Sequence, residues 1–168
     1  STPEAVYEAA LESARPAIAG SPAGEQAAPA AALSRVTVLG DASFREITLA
    51  SDCIFAGRVK TDKRQSGCVR FSSVPPGSAT PRRYRCQPDG TVKDLDEAAA
   101  ALVLAQVVPE FVSVRFGEPG YCQLSLTAPA EIASGAENGS EMGAWHLLSN
   151  PLREANLRIR LEEYLPFG

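Results

Sequence analysis

From Ser34 onward the apolar positions recur at alternate residues. Val36 and Val38 alternate with polar neighbours, and Phe44, Ile47, Leu49, Ile54, Val59, Val69 and Phe71 follow. Alternation with period two predicts short strands that bury one face, and Gly40-Asp41, Ala50-Ser51-Asp52 and Ala56-Gly57 predict the turns between them. A longer regularity overlies this one: Val38 to Val59 spans 21 residues, and Ile47 to Val69 and Leu49 to Phe71 both span 22. Short strands repeating at that interval predict the coils of a parallel β-helix, each coil burying its inward residues against equivalent ones above and below. The expected fold class is therefore mainly β, a right-handed parallel β-helix-like solenoid with short flanking α-helices. An antiparallel β-sandwich is the alternative that the same short strands allow. In the solenoid register Val36, Val38, Ile47, Leu49, Val59, Val69 and Phe71 share one interior, with Leu49 stacked near Phe71.

Outside this stretch the pattern changes. Residues 1–19 read as an N-terminal helix or arm, with Thr2 as cap, Pro3 at the first helical position and a thin stripe of Val6, Ala10, Leu11 and Ala14. Residues 20–33 are rich in alanine, glycine and proline and read as a low-complexity linker. Residues 34–168 form the solenoid domain. Within it Val74-Pro75-Pro76-Gly77 and Thr80-Pro81 predict an excursion from the sheet, because proline lacks the ladder donor. Asp94-Leu95-Asp96-Glu97 predicts a capped helix running to about Gln106. Phe111 to Phe116 and Leu124 to Leu126 predict further strands. A last helix from Asn150 and Pro151, with Leu157, Leu161, Tyr164 and Leu165 on one face, is placed to cap the core.

Charge changes the picture in one place. The chain carries a net charge of −4, yet residues 58–93 hold nine of its 16 basic residues against only Asp62 and Asp89. Arg82, Arg83 and Arg85 cluster on the return from the proline-rich excursion and are the candidate binding residues. The acidic flanks offer them intramolecular partners within residues 94–168, where a guanidinium fork suits carboxylates. A polyanion or nucleic-acid surface is the competing reading. The two neighbouring aromatics, Phe71 and Tyr84, are too few for stacking platforms, so nucleic acid is disfavoured.

Candidate chemistry is sparse. Cys53, Cys68, Cys86 and Cys122 form no C-x-x-C pair and fit no zinc spacing; Cys53 and Cys68 have apolar neighbours and read as buried reduced thiols. His146 is the single histidine and has no nucleophile motif beside it. Glu131, Glu137 and Glu141 flank a glycine-rich turn without EF-hand spacing. No catalytic residue, metal ligand or cofactor is assigned. No run approaches the roughly 20 apolar residues of a membrane span, and the acidic start differs from a signal peptide. The expectation is a cytoplasmic protein, or one exported with an assembly.

Four segments carry a resemblance: Ala50-Ser51-Asp52-Cys53-Ile54-Phe55, Gly67-Cys68-Val69-Arg70-Phe71-Ser72, Thr80-Pro81-Arg82-Arg83-Tyr84-Arg85-Cys86-Gln87-Pro88 and Glu137-Asn138-Gly139-Ser140-Glu141-Met142-Gly143. They are similar to motifs of large bacterial β-helical proteins of actinobacteria and cyanobacteria, some associated with phage-tail-like contractile injection clusters. The resemblance covers about residues 34–168 and implies a non-enzymatic structural or binding module of a larger protein, with other protein domains or subunits as partners. A carbohydrate-active enzyme on a β-helix scaffold is the alternative, and it would place acids and arginines together in one groove.

Overall fold

The computed structural model describes residues 16–21, 24–118, 120–150 and 159. Among these residues seven strands, β1 (Ala31–Ser34), β2 (Thr37–Val38), β3 (Ala42–Ser51), β4 (Ile54–Phe55), β5 (Val59–Lys63), β6 (Cys68–Arg70) and β7 (Arg82–Tyr84), precede three short α-helices, α1 (Asp89–Val92), α2 (Glu97–Gln106) and α3 (Ala130–Ala133), and a 3-10 turn at His146–Leu148. Every pairing between named strands is parallel, so the chain is a β-solenoid of about three turns and not an antiparallel sandwich.

Three faces make each coil. The first stacks the front half of β3 on β5, with single bridges from Ile18, Ala28 and Ala79. The second stacks β1, the back half of β3, β6 and β7 in that order. The third stacks β2 on β4 and continues through bridges to Ser73 and then Gln87.

The corner between the second and third faces repeats without a break. Arg35, Asp52, Phe71 and Arg85 all adopt left-handed backbone, with φ of 57°, 56°, 47° and 49°. Each reverses the side-chain alternation as the chain turns. Amides climb the same corner: Arg35 N–H donates to Ser51 O at 2.9 Å, Asp52 to Arg70 O at 3.2 Å and Phe71 to Tyr84 O at 3.0 Å. With corners at 35, 52, 71 and 85, successive coils hold 17, 19 and 14 residues.

That register differs from the 21–22-residue spacing read off the sequence. Ala50, not Ile47, lies opposite Val69, and Leu49 lies opposite Cys68, not Phe71, on the outer face, where it is 38% exposed. Phe71 sits on the corner, half-buried, with its ring set edge-on to Tyr84. Val38, Ile47, Val59 and Val69 do face the interior, together with Ala42, Phe44, Ala50, Phe55 and Val74. Val36 packs at its margin. The hydrophobic repeat misled because two coil lengths differ by insertions in the loops, and outward Leu49 looks like a core residue.

One residue past each corner stand Val36, Cys53, Ser72 and Cys86, the last three buried. Cys53 Sγ and Ser72 Oγ donate to carbonyls two residues back, Ser51 O at 3.2 Å and Arg70 O at 2.7 Å; Cys86 Sγ reaches Val69 O at 3.3 Å. Small side chains with a weak donor fit here because they close the corner against its own carbonyls. Both cysteines are free, and burial pushes both thiols up. Cys68, expected to be buried, is half-exposed on the outer face of the second sheet; Cys122 is a buried free thiol. At the opposite corner Gly57 lies against the Gly40 backbone of the coil below, where a Cβ would collide.

The flanking expectations are met unevenly. The stretch expected to be a linker, 20–33, instead contributes the Ala28 bridge and most of β1 to the first coil, since alternate small residues can pair on an edge. Pro16 to Ala19 are not helical, and Ile18 bridges Ala42; the rest of the expected N-terminal helix lies outside the described residues. The α2 helix forms with Asp96 as cap, its carboxylate accepting the Ala99 N–H at 2.8 Å. Residues 111–126 make isolated bridges rather than strands. Of the expected last helix only Asn150 and Ile159 are described, both helical.

The register has a direct test. Val69→Asp places a charge in the interior and is expected to abolish the cooperative melting transition, whereas Leu49→Asp on the outer face is expected to change stability by less than about 1 kcal/mol. Urea unfolding of both variants measures this, and an unfolded Leu49→Asp protein contradicts the register.

Candidate functional site

The third face points its outward residues at a second core. Ile54, 1% exposed, packs with Val107, Leu124, Ile132, Ala136 and Met142 from the later part of the chain. That segment is irregular, so its attachment depends on a few polar contacts, and these converge on Asp52.

Asp52 is placed by the corner. Its left-handed backbone suits aspartate better than most residues, and it turns the buried carboxylate toward the loop at 136–143. Oδ1 accepts the Glu137 N–H at 2.8 Å, Oδ2 accepts Ser51 Oγ–H at 2.8 Å, and the Asp52 carbonyl accepts the Gly143 N–H at 2.7 Å. One coil along, Arg70 pairs with Glu137 at 3.3 Å, and one coil back Thr37 Oγ1 accepts the Ala144 N–H at 3.0 Å. The loop therefore clasps three successive coils across 107 residues of sequence. Two of the motifs singled out in the sequence, at 50–55 and 137–143, meet here.

Behind the clasp lies a buried polar knot. His146 Nδ1 is 3.0 Å from the Glu141 carbonyl, and Ser140 Oγ–H donates to the His146 carbonyl at 2.9 Å. Both residues are buried. The Glu141 carboxyl is buried too; loss of solvent pushes its pKa up to about 7, only partly offset by the hydrogen bond from Asn150 Nδ2 at 3.0 Å. In the sequence Glu137 and Glu141 only flank a glycine-rich turn. The structure makes them a clasp and a buried acid, for which the neighbouring apolar Met142 was the available signal.

Winding scatters the basic segment over the perimeter of the solenoid. Lys60 and Lys63 lie on strand β5 of the first face, where Lys63 bonds Glu46 at 3.3 Å. Ser66 also donates to Glu46, and these two hydrogen bonds hold its carboxyl below the usual range. The three predicted binding arginines separate. Arg83 lies opposite Val69 and turns into the core column, closing the end of the solenoid. Its guanidinium bonds both Asp89 oxygens at 3.1 and 3.0 Å, Thr80 Oγ1 at 2.8 Å and Ser78 O at 2.8 Å. Its partner thus comes from the basic segment itself and not from residues 94–168. Arg82 and Arg85 stay exposed on either side of Tyr84, and Arg85 rests 5.7 Å above the Tyr84 ring. Neither has a carboxylate partner among the described residues. No group of three or more histidine, cysteine, aspartate or glutamate side chains able to hold a metal occurs among the described residues, and none of their helices is long and apolar enough to cross a membrane.

Two outcomes follow from the clasp. Asp52→Ala strands the Glu137 and Ser51 donors and puts at the corner a residue that tolerates left-handed backbone less well than aspartate, and should cost about 2–4 kcal/mol. Asp52→Asn keeps one acceptor and tolerates the same φ, so it should cost about half as much; equal losses in chemical denaturation would show that the carboxylate is not the clasp. Glu141 binds its proton more tightly folded than unfolded. Its contribution is full below about pH 4.5 and is lost as pH rises through about 7, so stability should fall over that window. Glu141→Gln should flatten the fall, measured as the melting temperature between pH 5 and 8.

No protein-family model, curated protein or solved structure matches the chain.

Proposed function

We propose that this chain is a non-enzymatic structural or binding module of a larger bacterial protein or assembly, with another protein domain or subunit as its partner. One observation carries the reading: the polar side chains best suited to chemistry are already engaged in holding the scaffold. Asp52 and Arg70 clasp the loop at 136–143, Arg83 closes the coil end on Asp89, and Glu141 and His146 are sealed beneath the clasp. Asp52, Arg70, Arg83 and Glu141 lie in the segments similar to large β-helical bacterial proteins, which supports reading those segments as parts of a scaffold.

The carbohydrate-active alternative needs an acid with raised pKa near a second carboxylate on an open face. Glu46 and Asp62 lie on the exposed first face, but Glu46 is held ionised by Lys63 and Ser66. Glu141 has the raised pKa and is buried elsewhere. The pairing that hydrolysis requires is therefore split between two places.

The test is a reducing-end assay on neutral and uronic-acid polysaccharides with the intact chain. No release above background is expected. Turnover that disappears in Glu46→Gln or Asp62→Asn, with the melting transition unchanged, overturns the module reading.

A further inference from the structure

The second face ends at β7. The strand order places β7 at the edge, with no further strand beside it among the described residues. In a parallel ladder alternate residues bond opposite neighbours. The Tyr84 carbonyl accepts from Phe71 on the β6 side at 3.0 Å, so the Arg83 N–H and C=O turn toward the open edge. An unpaired edge of this kind is a template for an added strand.

The unpaired charges around that edge are positive. Arg82 is exposed on the outer face, Arg85 is exposed at the corner, and Tyr84 between them is 52% exposed. Tyr84 is not free to swing. Its ring meets Phe71 edge-on at 5.7 Å and 85°, and the Arg85 guanidinium rests on it. On the coil below, Arg70, directly opposite Tyr84 in the ladder, holds a carboxylate of the chain's own loop, Glu137. Arg83 holds Asp89. Arg82, opposite Cys68, and Arg85, at the corner, lie in the columns on either side of these two, and both are without such a partner among the described residues. A carboxylate on an added strand, opposite Arg82, would lie within about 5 Å of it and fit the guanidinium fork.

Resting on the module reading above, the geometry points to β7 as a docking edge for an extended acidic segment of a partner protein, added as the next strand of the second face with its carboxylates on Arg82 and Arg85. A nucleic acid fits less well. The remaining basic residues are wound onto other faces, and one braced tyrosine does not make a run of stacking platforms.

The experiment uses the full 168-residue chain and a labelled ten-residue peptide of alternating glutamate and valine, followed by fluorescence anisotropy and by amide hydrogen exchange. Expected are saturable binding, slowed exchange at Arg83, and at least about a tenfold loss of affinity in Arg82→Ala with Arg85→Ala. Both arginines are exposed, and an unchanged melting transition verifies the fold. Tyr84→Ala, which removes the brace without removing charge, should weaken binding by a smaller factor. Equal binding by an alternating lysine and valine peptide overturns the proposal, as does undiminished binding by the double-arginine variant. So does slowed exchange confined to other segments. Tighter binding of heparin or single-stranded DNA, with a steep salt dependence, replaces the acidic segment by a polyanion. A concentration-dependent doubling of mass that protects Arg83 without peptide replaces it by a second copy. Absence of peptide binding alongside absence of polysaccharide turnover overturns this docking edge and leaves the module reading standing; turnover overturns the module reading whatever the peptide does.

Discussion

The left-handed corner is the constraint from which the rest of the structure follows. Four residues, none of them glycine, hold positive φ in register: Arg35, Asp52, Phe71 and Arg85. Each costs roughly 1 kcal/mol or more relative to an ordinary backbone, and for a bulky phenylalanine the penalty is the highest of the four. Inter-coil amide bonds at the same corner, together with burial of the side chains on either side, offset that cost. Because the corner resets the alternation at a fixed place, the coils can differ in length elsewhere. The loop at 64–67 and the proline-rich turn at 75–78 lengthen or shorten a coil without moving Ala50, Val69 and Arg83 out of their common column.

Two interiors depend on it. Residues before and one past the corner fill the solenoid itself, while Ile54, two past the corner on the second coil, faces outward into the core made by the later segment. Asp52 stands between them and serves both, as a backbone turn and as the acceptor for the loop at 136–143. Fastening an irregular segment through a few hydrogen bonds makes each of them expensive to lose, since a buried donor left unmatched costs more than the bond it made. Glu141 adds a proton-dependent element to that fastening.

Winding also explains how a concentrated positive charge becomes dispersed. Consecutive residues of a solenoid face different directions, so the basic segment is spread over two outer faces, a corner and the core end. What survives as a coherent surface is small: an edge strand, one braced tyrosine and two arginines. That is the scale of a peptide contact.

The sequence by itself determined the short alternating strands, with parallel coils as the expectation and an antiparallel sandwich still open, the turn positions at Gly40-Asp41, Ser51-Asp52 and Ala56-Gly57, the α2 helix, and inward Val38, Ile47, Val59 and Val69. These are local properties: alternation, capping and turn chemistry act within a few residues and leave their mark in the chain. The register was beyond it. Pairing Leu49 with Phe71 matched two large apolar residues, whereas the true partners are matched by a backbone conformation that arginine and phenylalanine do not advertise. Among the four corner residues only Asp52 is of a type that tolerates positive φ well. The fate of Arg82, Arg83 and Arg85 was equally hidden, since neighbours in sequence diverge by alternation and only the coil above decides which of them faces the core. Tertiary structure alone brought Asp52 to Glu137 and set β7 at the edge, because hydrogen bonding between segments 85 residues apart depends on how many coils lie between them.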